Sequence, residues 1–275
     1  MPISFDTWSA GEAYEPFVGR WSRLVARQFL DWLAVPPGGR WLEVGSGTGA
    51  LSQTILAAAA PNAVHGIDRS EGFVAHARAH VADLRARFET GDAQDLAVPP
   101  ASFDAAVSGL VLNFVPQPER MLAGMVRAVR PGGVVALYVW DYAGEMQLLH
   151  YFWEAAAALA PAASELDEGR RFPICQPQPL ADLFRAAGLE QVETRAIDVP
   201  TVFRDFDDYW QPFLGGQGPA AGYALSLSDE RRAALREHLR AALPAAVDGS
   251  IPLLARAWAA RGRRPAPGPQ SLRNA

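Results

Sequence analysis

The sequence contains no lysine; its 25 basic residues are all arginine. That absence removes whole chemistries: no Schiff-base lysine, no pyridoxal-phosphate anchor, no P-loop lysine and no Tyr-x-x-x-Lys reductase site. Cysteine is nearly absent too. Cys175 stands alone, so no internal disulfide forms and no cysteine-based zinc site exists. No apolar run reaches the ~18 residues that span a bilayer. The opening stretch MPISFDTWSAGEAYE lacks the basic and apolar regions of a secretory signal, so a cytoplasmic location is expected. Positive charge is not in excess either. The formal net charge is −5 and the arginines are spread along the chain, which argues against nucleic acid as the main partner. What is left is an ordinary globular composition, 49% hydrophobic and 20% charged over 275 residues. That length suits one large domain or one domain with a sizeable insertion.

Apolar residues at helical spacing predict a helix within 14–34, broken by PPGG at 36–39. Strands are expected near 41–45, 63–68, 86–92, 103–110 and 133–140, separated by helices. Ser70 is placed to cap the second of these, with Phe73, Val74, Ala77, Val81 and Leu84 on its inner face. Five alternating strand–helix units predict an α/β fold with a doubly wound, mostly parallel sheet. Further strands at 189–199 and 250–260 bring the count to seven, with a helical, aromatic insertion at about 205–243 before the last strand. The Pro/Gly-rich tail from 263 to 275 is expected to be disordered.

The chemistry concentrates in WLEVGSGTGALS (41–52). Gly45, Gly47 and Gly49, with Ala50, form a loose G-x-G-x-x-A between a strand and a helix, the layout of a dinucleotide-binding turn. Such a loop offers N–H groups and a helix N-terminus to a pyrophosphate. Glu43, at the end of the preceding strand, opposes that reading, because a carboxylate there favours an ammonium group over a phosphate. S-adenosylmethionine, a nucleoside with a cationic amino-acid tail, fits. Asp68 ends the second strand, where it can accept both ribose hydroxyls of either cofactor. Asp92 ends the third, where it can accept the adenine amino group. An NAD-dependent oxidoreductase stays open as the alternative, as does a cofactor-binding protein of this fold that transfers no methyl group.

With LEVGSGTG (42–49), HGIDRSEGF (65–73), FETGDAQDLAVPPASFDAAVSG (88–109) and MVRAVRPGGVVAL (125–137), the chain resembles the class I S-adenosylmethionine-dependent methyltransferases. The likeness is to the small-molecule kind that includes quinone-biosynthesis C-methyltransferases, and it spans roughly residues 40–140. The sequence departs in having Glu43 where aspartate is commoner and Ser46 where cysteine often stands. The resemblance implies a Rossmann-like methyltransferase domain over 36–262, with S-adenosylmethionine as cofactor. Gly45, Ser46, Gly47 and Gly49 would approach its methionine portion, and Glu43 would orient the amine. Asp68 would hold the ribose, flanked by Arg69 and Ser70. Asp92 and Ala93 would contact adenine, and Ser108 and Leu110 would face the methionine end. Residues 1–35 would form a helical lid carrying Tyr14 and Trp21, whose rings suit a sulfonium; Trp21 is equally placed for core packing.

Methyl transfer is an in-line displacement that alignment and desolvation can drive, so no catalytic residue is obligatory. Asp141 and Tyr142, after the fifth strand, and His150 are the candidates for a catalytic group. Asn113 is the single polar side chain in LVLNFV (110–115). Tyr209, Trp210 and Phe213 fall at helical spacing in a segment, 203–245, expected to cap the substrate. Together these favour a small apolar or aromatic acceptor, although the aromatic stripe equally suits the core of a helical insertion. No metal is expected. Position 108 holds serine rather than an acid, and His76 and His80 have no third ligand nearby.

Overall fold

The computed structural model describes residues 20–215 and 218–266. Seven strands form one sheet in the order β3-β2-β1-β4-β5-β7-β6. They are β1 (Arg40–Val44), β2 (Ala63–Asp68), β3 (Ala86–Thr90), β4 (Phe103–Gly109), β5 (Val129–Trp140), β6 (Glu190–Phe203) and β7 (Ile251–Arg263). The helices are α1 (Arg20–Leu33), α2 (Ala50–Ala58), α3 (Glu71–His80), α4 (Pro118–Ala128), α5 (Gln147–Leu159), α6 (Glu168–Arg171), α7 (Pro177–Ala186), α8 (Phe206–Trp210), α9 (Gly218–Ser226) and α10 (Asp229–Ala242). Backbone contacts divide the chain into two compact units. One takes in 26–139, 176–196 and the chain from 258; the other takes in the chain up to 25, 140–175 and 197–257. The second unit is wider than the expected cap at 203–245, because it includes α5 and α6.

In the first unit β1 to β4 run parallel. Trp41 stands beside Val64 on one side and Ala105 on the other. β4 pairs in parallel with β5, Ala106 beside Val135. The inner strands are fully buried: Leu42, Val44, Ala105, Ala106, Val107 and Val135 lose all contact with solvent. Such strands are covered on both faces and read as continuous apolar runs. Strand order reverses around β1, which lies between β2 and β4. In open α/β sheets, ligands bind beyond the carboxyl ends of the strands at such a switch point.

Helix boundaries follow local chemistry. The Ser70 hydroxyl accepts from the Phe73 N–H at 3.3 Å and starts α3. Proline occupies the first turn of α4 and of α7, where its missing N–H costs nothing. Met121, Leu122 and Met125 of α4 are buried as their spacing predicts. Two expectations need correction. Leu84 lies beyond the end of α3 and is fully exposed. The RPGG stretch does not separate a helix from a strand starting at 133; β5 already begins at Val129 and runs through it, with Gly132 at φ +79°.

β7 runs antiparallel to β5: Gly132 pairs with Arg264 and Asp141 with Arg256. β7 extends to Arg263, so the start of the expected disordered tail is strand, while 267–275 lie outside the described residues. In the second unit, aromatic rings fill the core. Phe152 stacks on Phe213 at 4.5 Å, and Tyr209 meets Phe203 edge-on at 5.3 Å. Phe203 in turn holds Trp21 at 5.6 Å. Each such pair adds about 0.5–1.5 kcal/mol beyond area burial.

Candidate functional site

The glycine loop joins β1 to α2, and its three glycines have positive φ: +76° at Gly45, +52° at Gly47 and +90° at Gly49. Their surroundings differ. A Cβ on Gly45 would fall 2.7 Å from Val111 Cγ1 and nearer still to Cγ2, and one on Gly49 would fall 2.8 Å from Val81 Cγ2. Nothing lies within 4 Å of the Cβ position of Gly47. Gly45 and Gly49 thus serve packing against the rest of the unit, and Gly47 presents the open face of the loop.

The loop's donors are already engaged. The N–H groups of Gly45 and Ser46 both donate to the Ile67 carbonyl, at 2.7 and 3.0 Å. Gly49 N–H donates to the Ser46 carbonyl at 2.8 Å. Gly47 N–H donates to Asp68 Oδ2 at 2.8 Å. At the first turn of α2, both the N–H and the hydroxyl of Ser52 donate to the Glu43 carboxyl. An internal acid therefore occupies the helix N-terminus where a dinucleotide loop would seat a pyrophosphate.

Glu43 is 2% exposed. Burial, chiefly, and the neighbouring Asp68 push its pKa from 4.5 to about 8, against the pull of the Ser52 hydrogen bonds. At neutral pH it mostly retains its proton in the free protein. The case against a pyrophosphate thus shifts from standing charge to occupancy of the donors. Asp68, at the end of β2, accepts Gly47 N–H through Oδ2 and Ser70 N–H through Oδ1 at 2.9 Å. Its pKa is also raised, chiefly by burial. These two bonds fix the carboxylate and leave further lone pairs for a ligand's hydroxyls.

Of the other expected cofactor residues, Asp92, Ala93, Arg69, Ser70, Ser46, Ser108 and Leu110 belong to the same unit. Asp92 follows β3, is exposed, and accepts from Gln94 N–H at 2.8 Å, which lowers its pKa. Ala93 is half-buried beside it. Arg69 is exposed and Ser70 caps α3. The Ser46 side chain packs against Gly66, whose added Cβ would meet Ser46 Cβ at 2.9 Å, and its buried hydroxyl has no hydrogen-bond partner. Ser108 is buried and donates to the Val44 carbonyl at 2.6 Å, tying β4 to β1. Leu110 takes φ +62°, a costly conformation for a leucine, and its N–H donates to the Tyr138 carbonyl at 2.8 Å. Leu110's left-handed turn leads into Val111 against Gly45, then a 3₁₀ turn, Leu112–Phe114. Asn113 sits in that turn with Nδ2 and Oδ1 both buried and unpartnered. Tyr14 lies outside the described residues.

The remaining candidates belong to the other unit. Asp141 is buried and accepts from Glu145 N–H at 3.1 Å, closing the turn after β5. Tyr142 is buried 5.8 Å from the Phe172 ring. His150 is on an exposed face, 3.3 Å from Glu154. Tyr209, Trp210 and Phe213 are buried in the aromatic core, with the Tyr209 hydroxyl donating to the Leu148 carbonyl at 2.9 Å. Trp21 is buried in the same cluster. Packing therefore accounts for the aromatic stripe. Sequence reasoning missed Ser52, which Glu43 engages, and the buried Glu168, which accepts from Trp153 Nε1–H. Burial raises the pKa of Glu168 to about 7. A serine on the first helical turn after a glycine loop was the available signal for Ser52; Glu168 had none.

A mostly parallel, doubly wound sheet with Glu43, Asp68 and Asp92 at or near the carboxyl ends of its first three strands defines an α/β protein of the Rossmann-like class. Residues 42–137 match the methyltransferase domain family. The chain is 30% identical over 186 residues to the ubiquinone biosynthesis O-methyltransferase of Paraburkholderia phymatum, covering 66% of this chain and 78% of that protein. It is 32% identical over 193 residues to the 2-methyl-6-phytyl-1,4-hydroquinone methyltransferase of Synechocystis, covering 69% and 58%. Among solved structures, phosphoethanolamine N-methyltransferase 2 of Haemonchus contortus, in complex with S-adenosyl-L-methionine, shares the fold. Its TM-score is 0.59 at 17% identity, over 92% of this chain and 56% of that one. The chain belongs to the class I S-adenosylmethionine-dependent methyltransferases. It spans 50–58% of the length of several curated relatives that it matches. Among the described residues no helix is long and apolar enough to cross a membrane.

Proposed function

We propose that the crevice beyond β1, β2 and β4 binds S-adenosylmethionine, and that the chain transfers the methyl group to a small, apolar or aromatic acceptor by direct in-line displacement. The observation that carries the reading is the pair of carboxyls beside a loop whose donors at positions 45, 46, 47 and 49 are all engaged internally. Such a site suits hydroxyls and a cation and offers little to an anion. Asp68, held by two N–H groups, takes the ribose hydroxyls. The open face at Gly47 admits the methionine backbone. Arrival of the ligand's ammonium group favours the ionised form of Glu43, so the site gains negative charge as the cation enters. Asp92 and Ala93 complete the adenine side.

When bound, the sulfonium supplies an activated methyl carbon. The acceptor's electron pair would take that methyl as the carbon–sulfur bond broke onto sulfur, and the acceptor's displaced proton would pass to solvent. Asp141 and Tyr142 are engaged in local packing and His150 is solvent-exposed, so the reading assigns none of them as a base. Alignment and exclusion of water carry the rate. Calorimetry with S-adenosylhomocysteine tests the cofactor half. Native protein binds it, Asp68→Ala weakens binding at least tenfold, and NADH produces no fluorescence change. Binding of NADH in place of either adenosyl compound would overturn the reading. Mass spectrometry for a 14-dalton gain on phenols, quinones and carboxylic acids, at ~14 Da per CH₃ replacing H, tests the transfer half and separates it from a cofactor-binding protein without transfer.

A further inference from the structure

Asn113 stands apart among the described residues. Its amide nitrogen and amide oxygen are both buried, and neither has a hydrogen-bond partner. Buried polar side-chain atoms are otherwise satisfied with few exceptions, and each exception calls for a cause. No structural cause is visible. The 3₁₀ turn has no side-chain cap, and its N-cap residue is Val111. The neighbours in sequence, Val111, Leu112, Phe114 and Val115, are apolar, and an apolar residue at 113 would avoid the desolvation cost. The turn is also fixed in place. Val111 lies against Gly45 of the cofactor loop, and Leu110 holds the left-handed conformation that directs the chain there. Strain of this kind gathers at ligand sites. A side chain with an unmet donor and an unmet acceptor thus sits two residues from a contact with the glycine loop, beyond the carboxyl end of β4.

We infer that Asn113 reads the methyl acceptor, and that this acceptor carries a hydrogen-bond donor and a hydrogen-bond acceptor side by side on one carbon of an otherwise apolar body. The inference rests on the reading of the adjoining crevice as the S-adenosylmethionine site. A side-chain amide presents C=O and N–H side by side. The group that satisfies both at once has the reverse arrangement: the cis N–H and C=O edge of a lactam. A lone ether or a lone halogen leaves one atom of Asn113 unpaired. A charged carboxylate supplies no donor.

The test uses the full chain with S-adenosylhomocysteine bound, and three probes of nearly equal shape: 2-quinolinone, its N-methyl derivative and 2-methoxyquinoline. Only the first has the paired edge. Native protein is expected to bind 2-quinolinone at least tenfold more tightly than either capped probe. Asn113→Leu and Asn113→Ala lose that preference, keep S-adenosylhomocysteine affinity within twofold, and leave the melting temperature of the Leu variant equal or higher. A residue with a purely structural role would instead lower the melting temperature and leave the preference unchanged. The inference is overturned if native protein does not favour 2-quinolinone, or if either variant keeps the preference. Loss of S-adenosylhomocysteine binding by native protein sinks the cofactor reading instead, a separate result.

Discussion

Glu43→Gln tests the electrostatics of the site in the free protein. The native carboxyl is buried at the N-terminus of α2, with its pKa near 8 against 4.5 in an exposed chain. Between those values the unfolded chain has released the proton and the native protein has not. Glu43's contribution to native stability is therefore fullest below pH 4.5, falls as pH rises through that window, and levels off above pH 8. At ~1.4 kcal/mol per pH unit, the burden at neutral pH is about 3 kcal/mol. Glutamine does not titrate, fills the same volume, and still accepts from Ser52. The variant is therefore more stable than native at neutral pH, and the gap widens by about 3 kcal/mol between pH 5 and pH 8, an upper figure because buried sites relax. Urea denaturation followed by tryptophan fluorescence at several pH values reads this directly. Glu168, also raised, is present in both proteins and cancels in the difference. A gap that stays constant with pH would refute the argument, because it would mean that Glu43 ionises alike in both states. The same substitution removes the charge that a bound ammonium requires. A variant that is more stable yet binds S-adenosylhomocysteine more weakly marks a residue retained for its ligand.

Other expectations follow from the same geometry. Binding of S-adenosylhomocysteine near pH 7 releases close to one proton, since most Glu43 is protonated beforehand; calorimetry in buffers of different ionisation enthalpy counts it. Gly45→Ala drives a Cβ into Val111 at a positive φ and costs about 2–4 kcal/mol in melting experiments, partly recovered by adding Val111→Ala. Gly47→Ala meets no neighbour, so its stability loss stays near 1 kcal/mol while cofactor affinity falls much further. Tyr209→Phe removes a buried hydrogen bond to Leu148, costs about 1–2 kcal/mol in denaturation, and leaves cofactor affinity unchanged. Cys175 is buried, and burial and Asp141 raise its pKa. It resists thiol reagents in the native protein and reacts on unfolding, as a colorimetric thiol assay reads.

The strand–helix rhythm was legible because parallel strands buried on both faces leave unbroken apolar runs, as at 134–140, and because punctuation by PPGG at 36–39 and by Ser70 is local. The positions of Glu43, Asp68 and Asp92 were legible for the same reason: Glu43 is one residue from the end of β1, Asp68 ends β2 and Asp92 closely follows β3, and sheet topology brings strand ends together. What could not be read was orientation. Ser108 and Ser46 have polar side chains at ligand-adjacent positions, yet one is tied to the Val44 carbonyl and the other packs on Gly66. A helical stripe of Tyr209, Trp210 and Phe213 has one appearance in sequence whether it faces a ligand or a core, and only the stack on Phe152 resolves it. Leu110's left-handed backbone had no signal, because leucine does not advertise a positive φ as glycine does.

The distinction between two cofactor classes then comes down to bookkeeping of N–H groups. A glycine loop after a first strand has a fixed number of donors, and two arrangements can satisfy them. If they remain open, the loop and its helix draw in an anion. In this chain Ile67 supplies one carbonyl to two of them, Asp68 takes a third, and Glu43 takes the Ser52 N–H at the helix start. Once those acceptors are internal, the loop's positive end is quenched and its open face, at Gly47, borders carboxyls instead. Gly45 and Gly49 are then needed for close packing, whereas a Cβ at Gly47 would meet no neighbour. On the proposed reading the same G-x-G-x-G letters support opposite ligand charges, and the acids at positions 43 and 68 select the cation.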